Sequence, residues 1–239
     1  MARIAVVSAI DREIAPLYEQ LESAYGWERK PGQIYSNNEL GIELVAAVVG
    51  VGKVNSAAGI AEILTVFVPE LVLNIGYAGG LAEGAGRGDI VVGNDYIQVD
   101  FASLSQPFSP GIIPGARPYV LPEGFIREVE QASAEREYRS LTGRIATGDF
   151  FLNDNARRAE IIRDFSPVAF DMESAAIAHV CAAKETAFAA VRTLSDLADE
   201  EAHLAAQAGL DELAVRPVEV ILRALELYYG ERKHGSEAL

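Results

Sequence analysis

Short apolar runs alternate with helical periodicity along the whole chain. Arg3–Ala9 is almost unbroken apolar sequence, the pattern of a strand covered on both faces. In Asp11–Leu21, Ile14, Leu17 and Leu21 recur at the spacing of one helix face. Ile34–Ser36 and Ile42–Val49 read as strands flanking the turn signal Asn37-Asn38. An Ala-rich helix is predicted over about Val54–Val66, closed by Pro69, with Leu71–Ile75 as the next strand. Gly76–Gly88 reads as a glycine-rich loop, and Asp89–Val92 and Tyr96–Val99 as strands. Residues 101–118 are the least regular, with Pro107, Pro110, Pro114 and Pro118 beside Gly111 and Gly115. A loop of that length inside a compact chain usually carries function.

Beyond it the alternation resumes. Helices are predicted over Glu123–Glu135, Asn155–Phe165, Met172–Lys184 and Leu210–Tyr229, and strands over Arg144–Thr147, Val168–Asp171 and Ala187–Leu194. Strand–helix alternation implies an α/β fold with a largely parallel sheet covered on both faces. No linker or shift in composition divides the chain. One domain is expected over residues 1–230, followed by a polar, frayed tail at 231–239.

Composition narrows the class. Half of the 239 residues are apolar and under a quarter are charged, which is globular rather than disordered. Asp and Glu outnumber Lys and Arg by 35 to 20, a net charge of −15. That balance argues against a nucleic-acid binder, which neutralises phosphates with basic side chains, and against an anionic membrane surface. Cys181 is the single cysteine and His179, His203 and His234 are the three histidines. A disulfide framework and a zinc-finger-type site are therefore excluded. No apolar run reaches the roughly 20 residues of a membrane span, and the N-terminus reads as a first strand rather than a signal peptide. These features predict a soluble, cytoplasmic protein.

In α/β sheets ligands bind beyond the carboxyl ends of strands. Five strands end in polar or glycine-rich loops: Ser8–Glu13, Gly76–Gly80, Gly148–Asn153, Asp171–Glu173 and Ser195–Asp196. Carboxylates gathered at one sheet edge can act as acid, base and acceptors for sugar hydroxyls. Each also has a plain structural reading. Glu13, Asp171 and Glu173 lie in helix first turns, where the dipole favours acids. Asp196 begins the acidic stretch Asp196–Glu201, Gly79-Gly80 is ordinary turn chemistry, and Met172 and Phe151 are core types. Gly50-Val-Gly-Lys53 hints at a phosphate loop but lacks the GxxxxGK[ST] spacing.

Taken together, the segments resemble the purine nucleoside phosphorylase/uridine phosphorylase superfamily, and within it the methylthioadenosine/S-adenosylhomocysteine nucleosidases. The resemblance spans about residues 2–229. It rests on Ser8–Glu13, Gly50–Val54, Asn74–Leu81, Gly88–Val92, Gly148–Phe151, Asp171–Val180 and Val191–Asp196. The Asp-Met-Glu and Arg-x-x-Ser-Asp motifs are its most specific part.

The resemblance implies a three-layer α/β/α sandwich with a central mixed, twisted sheet. It implies cleavage of the N-glycosidic bond of a purine nucleoside in a homodimer, with no cofactor and no metal, in methionine salvage. Asp196 matches the aspartate that protonates or hydrogen-bonds purine N7, with Ser195 holding it. Glu173 matches the acceptor of the ribose hydroxyls, and Met172 packs on the sugar. Glu13 matches the base that activates water, and Arg192 matches an arginine near that water and Glu13, which makes Glu13, Asp196 and Arg192 the implied catalytic residues. Phe151 and the Leu152 backbone match the base-stacking and base-reading elements. Tyr77, Ala78 and Gly79 match the Gly-x-x-Gly loop, where relatives place Ser or Thr at the position of Tyr77. The larger ring implies a crowded phosphate pocket, favouring hydrolysis, and a reshaped 5′ side. Ile113 and Pro114 match a loop that reaches the neighbouring subunit's 5′ pocket. Alternatives of related fold are a nucleoside phosphorylase, including a hopanoid-associated one, and a futalosine-type hydrolase. A non-catalytic nucleoside-binding protein is the alternative of another class.

Overall fold

The computed structural model describes residues 1–24, 26–101, 110–205 and 209–236. Strand β1 (Ala2–Ser8) runs parallel to β4 (Ile42–Val48) on one side and β5 (Leu71–Gly80) on the other. The hairpin β2 (Trp27–Lys30) and β3 (Ile34–Asn37) extends the sheet antiparallel beyond β4. Beyond β5 come β6 (Ile90–Gln98), β7 (Ser140–Thr147), β8 (Ala169–Asp171) and β9 (Ala187–Asp196). The nine strands form one mixed sheet in the order β2-β3-β4-β1-β5-β8-β7-β6-β9, and β9 also pairs with β5. That last pairing closes β5, β8, β7, β6 and β9 into a ring.

Helices cover both faces. On one, α1 (Asp11–Ser23), α3 (Glu123–Glu135) and α7 (Leu210–Ser236) pack together. Ile14, Leu17 and Leu21 of α1 are buried against the same core as Phe125, Val129, Val218 and Ile221. On the other face, α2 (Lys53–Val66) packs on α5 (Ser174–Ala183), with Ile60, Ile177 and Cys181 in a second core. The helices α4 (Asn155–Phe165) and α6 (Ala202–Ala205) complete the chain.

The differences from the sequence reading have physical causes. Gly76–Gly80 is not loop: it continues β5, because Gly76–Gly79 pair with Arg192–Asp196 of β9. The two strands expected over 89–99 are one strand, β6, whose irregularity at Gly93/Asp95 mimics a break. Strand β2 has sequence Trp-Glu-Arg-Lys, three of its four residues exposed, so no apolar pattern announces it. Helix α5 starts two residues later than expected. Asp171 caps its first turn by accepting from Ser174 N, which leaves Met172 and Glu173 outside the helix. The tail expected to fray from Glu231 is helical as far as Ser236. Of the irregular 101–118 stretch, residues 102–109 lie outside the described residues, and 110–118 form no regular element.

Candidate active site

Strands β1, β4, β5 and β9 run one way, and β6, β7 and β8 run the other. The two sets overlap at their carboxyl ends, where Gly79 faces Phe170 and Gly80 faces Ala169. A register shift in the β5–β9 pairing at Ala78/Gly79 sets Asp196 opposite Gly79. Such bulges re-aim side chains next to active sites. A cavity of about 260 Å³ opens at this junction. Ten of the predicted residues line it: Glu13, Tyr77, Ala78, Gly79, Phe151, Leu152, Met172, Glu173, Ser195 and Asp196.

Glu13 projects back from the first turn of α1. Its Oε2 accepts from Ala9 N at 3.0 Å and Ile10 N at 3.2 Å, and its Oε1 from Tyr77 N at 2.9 Å. This is the reach-back of an N3 acid, extended to a second strand. Burial raises its pKa above the ordinary carboxylate value, against the lowering influence of Arg192 and three backbone N–H groups. The approach depends on Gly76, whose φ is +143°. A Cβ there would overlap both Glu13 Oε1 and Arg192 Nη1.

Asp196 is buried at the opposite wall. Ser195 Oγ donates to its Oδ2 at 2.7 Å and Ala198 N to its Oδ1 at 2.8 Å. Burial is the largest influence and raises its pKa, although both hydrogen bonds lower it. Glu173 lies between β8 and α5, accepting from Gly52 N at 3.0 Å. Burial pushes its pKa up to about 7, opposed by Arg192 and reinforced by Asp171 and Glu13.

Arg192 lies close enough to Glu13 for its charge to lower that pKa. It does not line the cavity but is fully buried behind it. Its Nη2 lies 2.8 Å from Asp171 Oδ2 and 3.5 Å from Glu173 Oε2, and its Nη1 donates to Ile75 O at 3.1 Å. With its amide oriented to satisfy its neighbours, Asn74 accepts from Nη2 at 2.6 Å and donates to Val7 O at 3.2 Å. Arg192 therefore holds Asp171 and Glu173 from behind the cavity wall. Asp171, a strand-end acid given no role by the sequence, also lines the cavity. It holds Arg192, Thr147 Oγ1 at 2.6 Å and the Ser174 hydroxyl.

Tyr77 does not turn away from the site. It lines the cavity while its hydroxyl donates to Leu210 O, at the start of α7, at 2.8 Å. Phe150 and Phe170, whose ring centroids are 4.9 Å apart, extend the apolar wall beside the half-exposed Phe151. Ile113 and Pro114 do not join the cavity of their own chain. Among the described residues, no three His, Cys, Asp or Glu side chains are grouped as a metal site, and no helix is long and apolar enough to cross a membrane.

Comparison with known proteins finds relatives over nearly the whole chain. A family model described as the phosphorylase superfamily matches residues 3–226. The chain is 33% identical to a 5′-methylthioadenosine/S-adenosylhomocysteine nucleosidase of Bacillus subtilis, over 94% of this chain and 98% of that one. It is 34% identical to the Geobacillus kaustophilus protein of the same name, over 96% and 99% of the two chains. A solved structure of the Neisseria meningitidis nucleosidase, in complex with methylthio-immucillin-A, is 31% identical. It superposes with a TM-score of 0.82 over 94% of this chain and 98% of that chain.

Proposed function

Because the chain belongs to the phosphorylase superfamily, we propose that it is a purine nucleosidase. It hydrolyses the N-glycosidic bond of a methylthioadenosine- or S-adenosylhomocysteine-type nucleoside to adenine and a thioribose. The observation that carries this reading is the convergence of three buried carboxylates, Glu13, Glu173 and Asp196, on one aromatic-walled cavity. The named relatives, alike over nearly their whole length, support the same chemistry.

Each acid has a distinct task. Asp196, its proton held more tightly by burial, gives that proton to purine N7 as the C1′–N9 bond breaks. This neutralises the charge developing on the leaving base. Glu13 takes a proton from the water whose oxygen bonds to C1′. Glu173 accepts hydrogen bonds from the ribose hydroxyls and steadies the oxocarbenium-like sugar. Phe151 presents an aromatic face to the purine. Hydrolysis is favoured over phosphorolysis because, among the described residues, no Lys or Arg lines the cavity, where an anion would need one. Arg192 has its donors committed to protein acceptors.

The reading includes a cytoplasmic homodimer in which Ile113 and Pro114 of one subunit close the neighbour's 5′ pocket. Val51 and Phe151 at the cavity, together with Ile112, are exposed apolar side chains of the kind an interface covers. A place in methionine salvage follows if methylthioadenosine is the preferred substrate.

The test is a panel of methylthioadenosine, S-adenosylhomocysteine, adenosine, inosine and futalosine, with and without phosphate, products followed by mass spectrometry. Adenine and free thioribose in phosphate-free buffer are expected. Sugar 1-phosphate formed only with phosphate would move the chain to the phosphorylases, and binding without release of base would make it a binding protein.

A pH dependence follows from Glu173. Protonation would turn one of its acceptor oxygens into a donor facing the ribose hydroxyls, and its pKa is pushed up to about 7. Below that value kcat/KM should fall roughly tenfold per pH unit. Measured between about pH 5 and pH 8, a flat profile would exclude Glu173 as an ionised ribose acceptor. The same raised pKa makes folding less favourable as pH rises from the unfolded carboxylate value through about 7.

A further inference from the structure

The Gly50-Val-Gly-Lys53 run, which fails as a phosphate loop, is tethered at the cavity edge by hydrogen bonds to three other segments. Val51 lines the cavity, and Gly52 N, at a φ of +85°, donates to Glu173 Oε1 at 3.0 Å. The next residue is held from two other loops. Lys53 N donates to Asp149 Oδ1 at 2.8 Å, and Lys53 Nζ to Asp100 Oδ1 at 2.6 Å. Asp149 N in turn donates to Asp100 Oδ2 at 2.9 Å. Asp100 follows β6, Asp149 follows β7 and Lys53 opens α2 after β4, so loops from three strands are locked together. Helix α2 has no side-chain cap of its own. Asp149 supplies an external one, a carboxylate on the positive end of the helix.

We propose that Lys53, Asp100 and Asp149 form a positioning clamp that aims the Gly52 N–H at Glu173 and thereby sets how well the site binds ribose hydroxyls. This deepens the nucleosidase reading and rests on it for the identity of the ligand. The groups facing Glu173 are Arg192 from β9, Asp171 from β8, Glu13 from α1 and the Gly52 N–H. Arg192 stands 3.5 Å from Oε2 and is also shared with Asp171. The Gly52 N–H is thus the short, dedicated donor to this carboxylate. A loop left free to drift would take that donor away. Two like-charged neighbours would remain, opposed by a shared cation, so the ionised form of Glu173 would lose support.

The test uses the full chain carrying Lys53→Met, which keeps the aliphatic stem and removes the charge, beside Lys53→Arg. The carboxyl resonance of Glu173, assigned by its loss in Glu173→Gln, is titrated without ligand. Its midpoint should move up by about half a pH unit or more in Lys53→Met and return most of the way in Lys53→Arg. Binding is measured by calorimetry in an Asp196→Asn background, to slow turnover. Methylthioadenosine should bind about tenfold more weakly in Lys53→Met, and its 2′,3′-dideoxy analogue within about twofold of the parent. If Lys53→Met does not melt cooperatively, Asp149→Ala gives the same readouts with the Lys53–Asp100 pair intact. An unmoved midpoint, or a loss shared equally by both nucleosides, overturns the clamp. If the unsubstituted chain releases no adenine and the Asp196→Asn parent binds no nucleoside, the nucleosidase reading falls instead, and the titration alone decides the clamp.

Discussion

Asp196→Asn should lower kcat on methylthioadenosine by about a thousandfold while KM changes by less than about threefold. The carboxyl is needed where charge develops on the departing purine, so its loss falls on the transition state rather than on the bound substrate. The fold around it should survive. Ala198 N can still donate to the amide oxygen that takes the place of Oδ1. On the other side, Ser195 Oγ donates to Oδ2 and lies 3.5 Å from Ala78 O. In the variant the hydroxyl can turn to Ala78 O and accept from the new amide N–H. Shape and polarity are thus kept while the transferable proton is lost. Steady-state kinetics with the melting temperature as control would check this. Turnover within about tenfold of the parent, in a folded variant, would remove Asp196 from the acid role.

What could be read from the chain alone, and what could not, divides along the range of the interactions. The strand-end acids were visible because each lies within a few residues of the end of an apolar run: Glu13 after β1, Glu173 after β8 and Asp196 at the end of β9. The convergence of ten predicted residues on one cavity follows from those local placements plus the sheet topology. Misreadings arose where a long-range partner overrode a local signal. Gly76–Gly80 carries turn chemistry, yet pairing with β9 makes it strand, and Gly76 is needed there because Glu13 and Arg192 approach its α-carbon. Arg192 sits at the expected position in its motif, but its burial behind Asp171 and Glu173 depends on a neighbouring strand and helix. The bond from Gly52 to Glu173 crosses 121 positions of sequence, and no local pattern foretells it. The anchoring of Tyr77 to Leu210, 133 positions away, belongs to the same class.

Glu13→Gln should also cost about a thousandfold in turnover, for a reason separable from that of Asp196. A glutamine cannot take the proton of the attacking water. It also disturbs the geometry, because both Glu13 oxygens accept backbone N–H groups, from Ala9 and Ile10 on one side and Tyr77 on the other. An amide has one oxygen, so at least one N–H would face its NH₂ group. Binding should change far less than turnover, since the ribose hydroxyls and the purine are assigned to Glu173, Asp196 and Phe151. Calorimetry against methylthioadenosine at equal protein stability should therefore return a Kd within about fivefold of the parent while adenine release collapses. A pH signature provides an independent check. Burial raises the Glu13 pKa, so the native protein holds this proton to higher pH than the unfolded chain, and stability contributed at low pH is lost as pH rises through the folded value. Glutamine cannot titrate, so the variant should show a shallower fall of melting temperature with rising pH. Retained turnover would assign water activation to another group. A Kd that collapses together with turnover would mean that Glu13 acts by holding β1 and β5 in register around the ligand rather than by taking the proton.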